Sequence, residues 1–200
     1  MKMRIDGSFC RVFFAVLVFC LLGLSTAQLQ AQKFELTNRP LAIPESGTIT
    51  STVLKYDTNE FLYIPPYEWR LVAKPQEKEV SYLSPDSSVG ITIKVVPGTV
   101  GKMSELKSET LRGQIAQRFP KAKINEEFPV YGIGMQGLAF ELATAASNGA
   151  NMNVRLAFLP ILGGVVEFTM VAPADKYKEY LMSFSNVVGS FRPLSPAVEK

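Results

Sequence analysis

The side chains able to do acid–base, nucleophilic or metal chemistry are few, and the gaps narrow the choice. The 200-residue chain has no histidine, and its two cysteines are Cys10 and Cys20. Without histidine there is no Ser-His-Asp or Cys-His catalysis, no HExxH zinc site and no imidazole titrating near neutral pH. Carboxylates remain. Glu126-Glu127 is the only adjacent acidic pair. On a strand its two side chains point to opposite faces, so the pair reads as a solvated strand edge. Asp57 and Glu60 are a second pair, but they lack the dense acidic spacing of a calcium loop. Gly132-Ile133-Gly134-Met135-Gln136-Gly137 superficially matches a phosphate-cradling loop. Such a loop needs a helix behind it; a strand follows here, so a strand-to-strand turn or bulge is expected. Ser104 reads as a helix cap with no base to activate it. No catalytic, cofactor-binding or metal-binding residue is predicted.

Recognition residues are the remaining possibility. Tyr63, Tyr67 and Trp69 bracket Pro65-Pro66. They read either as an aromatic ridge for a partner or as a proline corner whose rings tuck onto the core. Met135, Met152, Met170 and Met182 are flexible apolar side chains of the kind that line adaptable pockets.

The elements around these residues alternate strands with two helices. Short apolar runs stopped by turns predict strands at 61–64, 69–73, 80–83 and 91–96. A helix is expected from Ser104 to about Arg118, with Leu106, Leu111, Ile115 and Phe119 on one face and Pro120 as its stop. Strands return at 123–130, 135–144, 152–158 and 165–171, with turns at Ser147-Asn148-Gly149 and Gly163-Gly164. Pro160 suggests an edge strand or bulge. The last helix shows Tyr177, Tyr180, Leu181, Phe184, Val187 and Val188 on one face. Asp175 is expected to cap its start and Gly189 its end. Hairpin turns imply antiparallel pairing, and no βαβ alternation is present. The prediction is one α+β domain over 51–192: an antiparallel sheet covered by helices, an α/β/α sandwich. Residues 28–50 read as an extended arm and 193–200 as a frayed tail.

The N-terminus reads as a cleavable secretory signal over 1–27. Lys2, Arg4 and Arg11 precede an apolar run from Val12 to Leu24, and Ser25-Thr26-Ala27 supplies small residues at the cleavage site. The expected cut lies between Ala27 and Gln28, with Ala31 as an alternative. The run is shorter than the roughly 18–20 residues of a membrane-spanning helix, so no transmembrane segment is expected after cleavage. Cys20 follows Leu17-Val18-Phe19, too bulky for lipoprotein processing. Both cysteines leave with the signal, as an oxidising compartment favours. Removing Lys2, Arg4, Arg11 and Asp6 leaves a nearly neutral domain, with no electrostatic footprint for nucleic acid.

Several of these pieces together resemble the PsbP-like superfamily, whose bacterial branch includes DcrB-like envelope proteins. They are Phe61-x-Tyr63-Ile64-Pro65-x-x-x-Trp69, Ile91-x-Ile93-x-Val95, Ser104-x-Leu106, Gly134-x-x-Gly137 and Phe184-x-x-Val187-Val188-x-Ser190-Phe191. The resemblance spans about residues 55–192. It implies an antiparallel sheet between helices and a binding or assembly role. The absence of histidine and of a lipoprotein processing site departs from members of the group, so no functional residue carries over. The expectation is a periplasmic or secreted, non-catalytic accessory protein with an envelope protein partner. Alternatives are a carrier of a small apolar ligand and a carboxylate-dependent hydrolase.

Overall fold

The computed structural model describes residues 33–43, 47–98 and 105–194. Ala27, Gln28, both cysteines and Ser104 lie outside them. In chain order the elements are β1 (Phe34–Ile43), β2 (Gly47–Tyr56), β3 (Asn59–Tyr63), β4 (Arg70–Lys74), β5 (Glu79–Leu83), β6 (Gly90–Pro97), α1 (Ser108–Arg118), β7 (Lys123–Gly132), β8 (Met135–Ala145), β9 (Asn151–Ile161), β10 (Gly164–Pro173), α2 (Tyr177–Ser190) and β11 (Arg192–Pro193). They form a four-stranded sheet, β1-β2-β3-β11, and a seven-stranded sheet, β4-β5-β6-β10-β9-β8-β7. Every pairing is antiparallel.

Alternation along the strands sorts the apolar residues onto the two faces of the larger sheet. One face carries Ile91, Ile93, Leu159, Phe168 and Met170, packed with Phe184 and Val187 of α2 and with Leu54 and Phe61 of the smaller sheet. The opposite face carries Phe140, Leu142, Leu156 and Phe158, packed with Leu111 and Ile115 of α1. The fold is therefore an antiparallel sheet with a helix on each side, but it is mostly β. A second sheet shares one face with α2, which corrects the plain α/β/α sandwich.

The ends of the chain also differ from expectation. The expected arm over 28–50 contains β1 and the start of β2, a hairpin paired from Phe34↔Tyr56 to Ile43↔Gly47. Its outer strand is mostly exposed, so hydrophobic alternation did not announce it. The expected tail begins with Pro193 paired to Phe61, and Leu194 N–H donates to the Glu60 carbonyl at 2.7 Å. Pro160 lies in an interior strand rather than at an edge. Pairing of β9 with β8 stops at Phe158, so Pro160 stands beyond the reach of β8.

The helix caps are backbone events. Lys107 precedes α1 and Lys176 precedes α2, neither with a side-chain cap bond. Asp175 does not cap α2, and Gly189 lies within its last turn. The backbone N–H of Phe191 bonds the Val188 carbonyl at 3.1 Å. The helix expected from Ser104 begins at Ser108, so Leu106 precedes it; Leu111 and Ile115 of α1, and Tyr177, Phe184, Val187 and Val188 of α2, pack inward. Residue 119, ahead of Pro120, leaves the helical conformation, as the proline ring demands.

Two glycines separate packing from propensity. A Cβ on Gly137 would lie 1.9 Å from the Phe158 carbonyl oxygen, whereas one on Gly189 meets nothing within 4 Å. Gly137→Ala should lower stability by about 3 kcal/mol, because main-chain atoms of β8 and β9 must separate. Gly189→Ala should raise it by about 0.5 kcal/mol through helix propensity. Urea unfolding of both variants checks the opposite signs.

Candidate functional site

The three aromatic candidates are split between interior and surface. Tyr63 is fully buried, and its hydroxyl meets that of Tyr82 at 2.8 Å. Burial, then Tyr82, pushes its pKa well up. Trp69 is half-buried, with its ring edge-on to Tyr180 at 5.4 Å. Tyr67 stands 85% exposed. They do not make one ridge: the proline corner keeps Tyr63 and Trp69, and only Tyr67 faces outward.

The carboxylates do not converge either. Asp57 sits exposed in the β2–β3 turn, and Glu60 pairs with Lys55 at 3.1 Å. Glu126 is exposed, while Glu127 accepts from Ser108 at 2.8 Å and from Arg112 Nη2 at 2.6 Å. Burial pushes the Glu127 pKa up, but the Ser108 and Arg112 hydrogen bonds outweigh it and the net shift is downward. Glu127 and Arg112 thus tie α1 to the edge strand β7. The glycine run is the β7–β8 hairpin, with Gly134 at φ +73° in its turn. Among the described residues, no group of three or more His, Cys, Asp or Glu side chains is placed to hold a metal ion. No described helix is long and apolar enough to cross a membrane.

Two clefts lie on opposite faces of the larger sheet. The first, about 280 Å³, opens between α1 and β6–β10. Val96, Leu111, Phe158 and Val165 give it apolar lining, and Gln114 and Glu167 give it polar lining. Gly98 and Glu105 also line it. Glu167 is 8% exposed and is held by Arg118 at the end of α1 and by Thr169 at 2.8 Å. The second cleft, about 230 Å³, lies between β7 and α2, lined by Phe128, Val130, Phe184, Val188 and Arg155. Glu141 and Arg155 are direct cross-strand partners. Their side chains pair at 3.1 Å, and the Tyr177 hydroxyl donates to the same Glu141 oxygen at 2.8 Å. Burial, then Glu141, raises the Tyr177 pKa. Sequence reading missed this trio because its members sit on β8, β9 and α2. The one local signal was a charge at an inward position of an otherwise apolar strand.

The four methionines do not gather. Met170 is fully buried, Met182 is exposed, Met135 and Met152 are half-buried, and neither cleft is lined by one.

Away from the clefts, Asp86 fixes the β5–β6 turn to α2. It accepts from Lys176, from the Ser84 hydroxyl at 2.6 Å and from the Ser88 N–H at 3.0 Å. Lys176 first, then the serines, holds its carboxyl well below the usual carboxylate range.

No family model and no curated protein matches the chain. Solved structures do. The solution structure of cyanobacterial PsbP (CyanoP) from Synechocystis sp. PCC 6803 is similar at a TM-score of 0.50 and 12% identity, over 85% of this chain and 98% of that one. LpqN, involved in cell envelope biogenesis of Mycobacterium tuberculosis, is similar at 0.45 and 15% identity, over 80% and 92%. The chain has a PsbP-like fold.

Two variants test these contacts. Tyr177→Phe should cost about 1.5 kcal/mol in denaturant unfolding, the scale of a hydrogen bond to a charged group. For Asp86 the folded pKa lies below the unfolded one. Its contribution is therefore present above the unfolded value, near pH 4, and fades as pH falls through the depressed folded value. Asp86→Asn should lower the melting temperature at pH 7 and flatten the acid dependence below about pH 4, as thermal melts across pH would show.

Proposed function

We propose that this chain is an exported, non-catalytic accessory protein of a bacterial envelope, and that it binds a partner protein through the cleft between α1 and the larger sheet. The cleft carries the reading. It joins exposed apolar surface at Val96 to a few polar groups, the pattern of a recognition site. At about 280 Å³ it lies just below the usual range of ligand pockets, roughly 300–1,000 Å³. That volume suits one or two apolar side chains of a partner better than a whole lipid. Export rests on the basic, apolar and small-residue layout of 1–27. The PsbP-like fold is compatible with this role and does not assign it.

Carriage of a small apolar ligand is the second reading, favoured by the apolar lining of the same cleft. Native mass spectrometry of protein from its own envelope fraction separates the two, since a small added mass would favour carriage. The same spectrum should show a chain beginning at Gln28; an intact residue 1 would overturn cleavage.

A photo-crosslinking side chain at Gln114, in the cleft, should trap a defined protein partner. The same group at Lys178, exposed on α2, should not. Identical products from both positions, or none from Gln114, would reject the cleft as the docking surface.

A further inference from the structure

The cleft between β7 and α2 has its own chemistry, independent of the α1 cleft. Its charged member is Arg155, whose side chain is only 19% exposed. The guanidinium carbon lies 4.5 Å from the Phe128 ring centroid and 6.0 Å from that of Phe184. The two rings flank the planar group and restrict its rotation. One edge is fixed by Glu141, which Tyr177 holds in turn. A guanidinium has five N–H donors; Nη1 donates to Glu141 at 3.1 Å, and the Tyr177 hydroxyl also accepts from the same guanidinium. No buried side-chain nitrogen or oxygen among the described residues lacks a partner. Any Arg155 nitrogen without a protein partner is therefore open to solvent, and Arg155 lines the cleft.

We propose that this cleft binds a carboxylate carried on an apolar body, with the free edge of Arg155 taking the carboxylate and Phe128, Val130 and Val188 taking the apolar part. A rigid arginine fork matches a carboxylate in two-point contact. Glu141 decides the charge of the ligand. It already lies against the same guanidinium, so a doubly charged phosphate would meet stronger repulsion than a singly charged carboxylate. The apolar walls reject a small hydrated anion such as acetate, which gains nothing from them. The carboxylate can belong to a small hydrophobic acid or to the C-terminus of a peptide chain.

The test is a titration of the purified chain with 4-phenylbutyrate, followed by NMR at the arginine Nε–H resonances. Arg155→Lys identifies the Arg155 signal. That signal should shift saturably, and 4-phenyl-1-butanol, the uncharged counterpart, should not move it. Ser185→Trp places a bulky ring on an exposed helix position lining the cleft. It should weaken binding by about tenfold or more while leaving the fold intact. Arg155→Lys, which keeps the charge and loses the fork, should weaken it by about tenfold, read at the backbone amides of Phe128 and Val130. Equal binding of the alcohol, or no shift at Arg155, overturns the proposal. A peptide ending in phenylalanine, compared as free acid and as amide, identifies the source. Tighter binding of the free-acid peptide than of phenylbutyrate assigns the site to chain ends, and the reverse assigns it to small acids.

Discussion

Phe191 holds the parts of this domain together. It is fully buried, stacks on Phe61 of the smaller sheet at 5.1 Å and stands edge-on to Phe168 of the larger sheet at 5.2 Å. Its backbone is equally committed. The N–H closes α2 on Val188, and the carbonyl accepts from Ile133 in the β7–β8 hairpin at 2.9 Å. One residue thus joins both sheets, a helix end and a hairpin. The hairpin approaches this carbonyl so closely that a Cβ on Gly132 would lie 2.6 Å from it. In the sequence, Phe191 stood only as the last residue of the apolar pattern Phe184-x-x-Val187-Val188-x-Ser190-Phe191. Its role in joining two sheets was invisible, because the second sheet was not foreseen.

What the sequence made legible follows from where each signal originates. Elements buried on one face announced themselves: the α2 stripe and the alternation in β5 and β6 are local consequences of a one-sided environment. β1 gave no such signal, because over residues 34–42 only Phe34 is buried. Its existence depends on pairing with β2, a non-local fact. The caps failed for a related reason. Asp175 has capping chemistry, yet α2 begins after Lys176, whose side chain is drawn to Asp86 in a turn ninety residues away. Tertiary electrostatics overrode the local preference.

The site was less legible than the fold. Tyr63, Tyr67 and Trp69 are near neighbours in sequence with three different environments, since a proline corner turns the chain between them. Arg155 and Glu141 are distant in sequence and meet only because β8 and β9 pair in a particular register. A one-residue slip of β9 would send Arg155 to the opposite face, beside Phe140 and Leu142, and leave Glu141 behind. The ion pair is therefore tied to the register as well as to the cleft. Breaking either partner alone would leave a poorly solvated charge.

The same alternation keeps the two clefts chemically separate. On β9, Phe158 lines the cleft under α1, while Arg155 lines the cleft under α2. Three residues apart on a strand means opposite faces, so one central strand serves two sites that share no side chain. Each is then covered by its own helix, α1 held through Glu127 and Glu167, and α2 through Asp86 and Glu141. Of the carboxylates weighed as catalytic candidates, only Glu127 fastens a helix to the sheet; the other three fastenings fall to Asp86, Glu141 and Glu167. What the two clefts present is apolar lining, with Gln114 and Glu167 as polar members of one and Arg155 of the other.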